Sequence, residues 1–421
     1  MSKSQVHVIG AGMAGLAAGV ALTAAGYRTT LHEAAPRAGG RCRSFRDETL
    51  DRVIDNGNHL ILGANPSVFA YLKVIGNEGG LWADEPAAFP FVDLNTGERW
   101  TLSPTAGRIP WWIFMPSRRV PGSRWTDYLA PLRLALPPRS ATVADKLGRN
   151  ELMAERLWEP LTVAVLNTSM GDGAARLLWP VIKLAFGGGE AACRPYLTRE
   201  GLGPALVDPA VEFITENGGS ITFSRRLRAL QFDGRRVEAL DFGDEKIELG
   251  RRDAVVLAVP PAGAKQLLPD LDAPLETRAI VNAHFRLGRR VPMPEGRHIL
   301  GLVGGTAQWL FARRDIASVT VSAADALAEK SADEITDILW RDVANALGLQ
   351  SAPRPPCRVV KEKRATFAQT PEAMRQRPAP GTRWRNLFLA GDWTDTGLPA
   401  TIEGAVRSGL AAAIKARRYV R

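Results

Sequence analysis

Cysteine is scarce in this sequence. Its three residues, Cys42, Cys193 and Cys357, lie far apart and form no CxxC pair. That pattern argues against a disulfide framework and a zinc site, and it fits a reducing compartment. Histidine is nearly as scarce, with five residues. No run of about 18 or more apolar residues occurs, so no spanning helix is expected. An apolar strand-like run follows Met1–Gln5 directly, so a cleaved signal is not expected. Acid is outnumbered by base, 44 residues to 54, for a net charge of +10. No basic stripe with interleaved aromatics accompanies that excess, which argues against nucleic acid as a partner. A solvated basic surface and attraction to an anionic membrane surface both stay open.

What is present is a core and a motif. The length of 421 residues suggests two or three domains, and 45% hydrophobic residues is ample for a core. The organising stretch is Val6-His7-Val8-Ile9 followed at once by Gly10-Ala11-Gly12-Met13-Ala14-Gly15 and an apolar helix. A buried parallel strand reads as a short β-branched apolar run. Gly10 permits the tight turn, Gly12 lets backbone approach a pyrophosphate, and Gly15 lets helix pack on strand. The helix start presents free N–H groups and a positive dipole to phosphates. A second strand from Arg28 ends at Glu33, which lies 18 residues past Gly15 and suits a ribose-binding carboxylate. Gly10, Gly12, Ala14, Gly15 and Glu33 are therefore candidate cofactor-binding positions.

The segment Arg37-Ala38-Gly39-Gly40-Arg41 follows. Its paired glycines permit close backbone approach, and Arg41 can grip phosphate oxygens with a fork. Near the end, Leu387-Phe388-Leu389-Ala390-Gly391-Asp392 reads as a strand ending on an acid that accepts from sugar or ribityl hydroxyls. A helix starting near Ile402 would aim N–H groups at a reduced flavin.

Together, GAGMAGL, Glu33, RAGGR and the closing strand-helix resemble the FAD-binding amine oxidase and phytoene desaturase superfamily. The resemblance implies an α/β fold, with a discontinuous Rossmann-type FAD-binding domain and an inserted α+β substrate domain. The expected boundaries are 1–75, 203–262 and 364–421 for the FAD-binding part, and 76–202 and 263–363 for the substrate part. It also implies that Asn58 and His59 lie beside the flavin ring and that Leu227 contacts adenine through its backbone. Two features argue against an amine oxidase. The strand Ile280–Phe285 has no lysine, and Thr401 stands where such enzymes often place a tyrosine. No cysteine lies in the closing motif, so the expected FAD is non-covalent.

Longer segments are more specific. WEPLTVAVLNT, GGTAQWLF, VSAAD, KEKRATFAQTP and AGDWTDTGLPATIEGAVRSG resemble the hydroxysqualene dehydroxylases of bacterial hopanoid synthesis, from residue 5 to about 415. The activity implied is reductive removal of a hydroxyl from hydroxysqualene, a prenyl lipid, giving squalene and water. Such chemistry needs an acid, an apolar pocket and stabilisation of an allylic cation. His59 and Asp395 are the candidate acids, although each also reads as an ordinary strand histidine or turn cap. Trp309 and Trp112 could present ring faces to a cation, although ordinary core packing is the favoured reading of either one. Asn167 marks a pocket or a helix end, and Thr401 is a candidate pocket residue. No metal ligands are expected, and the reductant is left open. A carotenoid-type desaturase and a non-catalytic FAD-binding scaffold are the alternatives.

Two stretches suggest membrane contact at the inner face of a cytoplasmic membrane. Ile109–Pro116 is apolar and aromatic and leads into Arg118-Arg119, while Tyr128–Leu136 is apolar with Arg133 inside it.

Overall fold

A computed structural model describes residues 4–421. Its first layer is a five-stranded parallel sheet, ordered Ser220–Thr222, Arg28–His32, Gln5–Ile9, Ala254–Leu257, Leu387–Leu389. Every described strand neighbour in it is parallel, and its central strands are buried on both faces. That burial explains why they read as plain apolar runs. The first helix, Met13–Ala24, and the closing helix, Ile402–Val420, pack together over this sheet. They meet so closely that a Cβ on Gly409 would lie 2.1 Å from the carbonyl oxygen of Ala14. Ala14 thus stands at a helix-helix contact.

The second layer is a seven-stranded mixed sheet. Its order is Cys357–Phe367, Thr277–Arg286, Ile316–Val321, Trp309–Arg313, Ile299–Val303, Phe89–Asp93, Arg99–Leu102. Strands from the two halves of the chain outside the parallel sheet meet where Ile299–Val303 pairs with Phe89–Asp93. One face packs under the helix Ala332–Leu347, through Val281, Ala283, Val319, Leu310 and Leu302. That helix starts with a capping box formed by Ser331 and Glu334. The other face takes a layer of short helices between Val143 and Ala185 and the segment Asp55–His59.

Of the GGTAQWLF segment, only the part from Trp309 onward is strand. Gly304-Gly305-Thr306 forms the turn instead, with Asp342 accepting from the amides of Thr306 and Ala307.

Candidate active site

The two glycine loops form one cradle. Gly39 N–H donates to Ala11 at 2.8 Å, and Gly12 and Gly39 bridge. Gly39 and Gly40 both have positive φ, 106° and 56°, which folds the second loop back onto the first. A Cβ on Gly15 would sit 1.9 Å from the Gly10 carbonyl oxygen, so this position is fixed by packing. Gly12 is different, because a Cβ there would meet nothing within 4 Å. It is also the N-cap of the first helix and offers no side chain to the helix amides. An open, uncapped helix start is what a pyrophosphate requires.

Glu33 stands beside this cradle. Its carboxylate accepts from Ala11 N–H at 2.6 Å and Ala35 N–H at 2.8 Å. Carboxylate oxygens have lone pairs beyond those two bonds, enough for ribose hydroxyls. Leu227 is buried with Leu230, Val237 and Phe242 behind the parallel sheet. Beneath Glu33 lie His7 and His32, stacked at 5.4 Å with Nδ1 of His7 3.1 Å from Nε2 of His32. Burial holds both rings neutral well below the ordinary histidine range.

Arg41 leaves the second loop toward the far end of the chain. Its Nη2 donates to Asp392 Oδ1 at 2.8 Å, and Nη1 donates to the Ala365 carbonyl. Its fork is thus shared with protein acceptors, where the sequence suggested phosphate alone. Ile402 begins the closing helix as expected. Thr401, a candidate pocket residue, is that helix's N-cap, with Oγ1 accepting from Gly404 N–H at 3.1 Å.

Two residues at this end escaped the sequence reading. Arg377 is buried and donates to the carbonyls of Asp392, Trp393 and Thr394, which fixes the turn after the closing strand. Burial pushes its pKa down, with Asp395 and Asp392 opposing. Glu403 is also buried, and its carboxylate accepts from the amides of Ser67 and Val68 at the start of the helix Pro66–Val74. No local pattern flags either, since each partner set is distant in sequence.

The segment Asp55–His59 crosses to the seven-stranded sheet. Asn58 Nδ2 donates to Thr320 Oγ1 at 3.0 Å, and that hydroxyl donates to Asn282 Oδ1 at 2.8 Å. Asn282 occupies the strand that lacks a lysine and is fully buried. His59 Nδ1 lies 3.0 Å from the Gly57 carbonyl, so Nδ1 carries the proton. Burial lowers the pKa of His59, partly opposed by its bond to Gly57. The resting ring is neutral, with Nε2 as a lone-pair atom.

Two expectations need correction. Asp395 is exposed and caps its own turn, with Oδ1 accepting from Gly397 N–H at 3.2 Å. Its carboxylate is thus engaged with its own turn and turned to solvent. Asn167 is a helix end, not a pocket wall. It adopts a left-handed φ of 48° at a helix C-terminus, and its amide is consumed by Arg278, Thr366 and Ala323. Trp112 is core, edge-on to Tyr128 at 5.0 Å. Trp309, in contrast, is half-buried and borders the polar group around Thr320.

Comparison with known proteins agrees with this geometry. The model of the flavin containing amine oxidoreductase family matches residues 13–415. The chain is 46% identical to the hydroxysqualene dehydroxylase of Sinorhizobium fredii, over 97% of this chain and 97% of that protein. It is also 46% identical to that of Rhodopseudomonas palustris, over 98% of each. Cyclohexylamine oxidase from Brevibacterium oxydans has the same fold, with a TM-score of 0.72 at 17% identity over 100% of both chains.

Proposed function

This chain belongs to the flavin containing amine oxidoreductase family and, within it, to the hydroxysqualene dehydroxylases, and from that membership we propose that it converts hydroxysqualene to squalene and water. It is an FAD-dependent oxidoreductase acting on a C–OH group. The observation that carries the reading is the complete cradle of Gly12, Glu33, Arg41 and Asp392 in a chain similar from end to end to such enzymes.

When bound and reduced, FAD supplies the hydride that replaces the hydroxyl on carbon. The balance is an allylic alcohol plus hydride plus a proton, giving hydrocarbon plus water. The protein's share is binding, exclusion of water and placement of the proton. Gly12 and the amides at the start of the first helix hold the pyrophosphate, and Glu33 takes the ribose. Asp392, held by Arg41, accepts from hydroxyls further along the cofactor. His59 moves the proton at Nε2. A lowered pKa makes the imidazolium a stronger acid once formed, which suits protonation of a leaving hydroxyl.

The proposal extends to peripheral contact with a membrane. Among the described residues, no helix is long and apolar enough to cross one. Among the described residues, eight of the fourteen exposed large hydrophobic side chains fall between Ile109 and Leu136, including Trp111, Phe114, Trp125 and Leu132. Residues 103–149 also carry eight basic side chains against two acidic ones, six of the chain's ten net positive charges. An apolar patch ringed by base suits an anionic bilayer surface, where a prenyl lipid dissolves.

The test is product identification from purified protein, reduced FAD and hydroxysqualene. Squalene is expected. Its absence, or hydrogen loss from phytoene instead, overturns the reading. The same assay on His59→Gln addresses the proton, since an unchanged rate across pH would contradict that role.

A further inference from the structure

The seven-stranded sheet carries one row of side chains from edge to edge. Register places Asn282 opposite Thr320, Thr320 opposite Trp309, Trp309 opposite Gly301, Gly301 beside Phe91, and Phe91 opposite Trp100. Residues directly opposite on paired strands share a face. This is the face turned toward Asn58 and the layer of short helices. Gly301 leaves the row open at its middle, and the Phe91 ring fills that opening, 2.3 Å from where a Cβ would stand. The row is therefore polar at one end and aromatic at the other, and Trp309 is the seam.

Trp309 also has an unmet need. Its ring meets Phe91 edge-on at 5.4 Å, and its Nε1 is buried with no hydrogen-bond partner among the described residues. On its polar side, the Thr320 hydroxyl is already committed to Asn282 and Asn58. A buried N–H without an acceptor is costly, and such groups in native structures call for an explanation. An allylic alcohol supplies the acceptor that Trp309 lacks. Its oxygen is an acceptor, and its polyene tail is apolar.

We propose that the Trp309 indole N–H is the donor that binds the substrate's hydroxyl oxygen. This deepens the function proposed above and rests on it. An indole N–H is a donor only, so Trp309 orients the hydroxyl and does not supply the proton. The same contact gives specificity, because squalene, the product, has no oxygen to offer. The site thus favours alcohol over hydrocarbon, and release of product follows from loss of the bond.

The test uses oxidised, FAD-loaded enzyme, which cannot turn over. Hydroxysqualene and squalene in detergent micelles are titrated separately, and binding is read from the change in the flavin spectrum. Wild type should bind the alcohol more tightly than the hydrocarbon. W309F, which keeps the ring and drops the donor, should bind the alcohol about tenfold more weakly and squalene as before. W309H, which restores a ring N–H, should recover much of the preference. A preference undiminished in W309F overturns the proposal. Should W309F fail to load FAD, W309H decides, and loss of the preference there overturns it. Failure of the parent reading is separate and shows as wild-type enzyme that forms no squalene when reduced.

Discussion

Arg41 Nη2 donates to Asp392 Oδ1 at 2.8 Å, joining residues 351 positions apart. The bond ties the loop after Glu33 to the end of the last strand. Asp392 is nearly buried, whereas Arg41 is 40% exposed. The carboxylate raises the arginine's pKa, so the guanidinium stays charged throughout the working range.

Removing this carboxylate charge should weaken the cofactor site more than the fold. Asp392→Asn is expected to raise the FAD dissociation constant by about 10- to 100-fold, the range of a charge-assisted bond. Arg41→Lys keeps the charge, loses the fork and should fall between. Titration of apoprotein with FAD measures both. Wild-type affinity in Asp392→Asn would remove Asp392 from the site.

The two neighbouring glycines should fail differently. Gly12→Val places its side chain in open space, so apoprotein should unfold at the wild-type temperature yet bind no FAD. Gly15→Ala forces a contact with the Gly10 carbonyl and should cost on the order of 1–3 kcal/mol of stability. Thermal unfolding of the apoproteins separates these. Equal destabilisation of both would mean that Gly12 also serves packing.

The exposed apolar patch between Ile109 and Leu136 offers a test of the proposed membrane contact. Trp111, Phe114 and Leu132 point outward, whereas Trp112 supports the core. Replacing those three by serine should reduce co-sedimentation with anionic phospholipid vesicles by an order of magnitude or more, given about 0.8 kcal/mol per buried CH2. Raised salt should weaken binding of the wild type. Unchanged co-sedimentation of the triple variant would place the contact elsewhere.

Stability should fall on mild acidification. Burial lowers the pKa of His7, His32 and His284, the last to about 4. Unfolded histidines take up protons as pH drops through about 6.5. The folded rings do not, so the unfolded state binds more protons between about 6.5 and 4. Each such histidine then removes up to about 1.4 kcal/mol per pH unit across that window. His284→Gln should flatten the slope of unfolding free energy against pH by about one proton. An unchanged slope would show that His284 titrates normally in the folded protein.

Much of the cofactor cradle was legible because its signals are local. The glycine spacing, Glu33 and the start of the closing helix each sit within one turn or one strand-helix unit. Partners of Arg41 were not legible, since Asp392 and Ala365 arrive by folding. The apolar stretch at residues 109–116 was visible, but not which tryptophan faces out. Trp111 and Trp112 are adjacent in a short 3-10 turn, and only packing against Tyr128 separates them. Asn167 and Asp395 misled for a related reason. A polar residue in an apolar run reads equally as a pocket or a cap, and the local backbone made both of them caps. The row from Asn282 to Trp100 lay beyond reach, because only strand register brings those residues onto one line.

Reductive loss of a hydroxyl at a flavin site can be followed in a single turnover. Enzyme with reduced FAD is mixed anaerobically with excess hydroxysqualene, and flavin reoxidation and squalene are measured together. The account predicts one squalene formed for each flavin reoxidised. Squalene without flavin reoxidation, or a flavin that stays reduced with the alcohol intact, would contradict it.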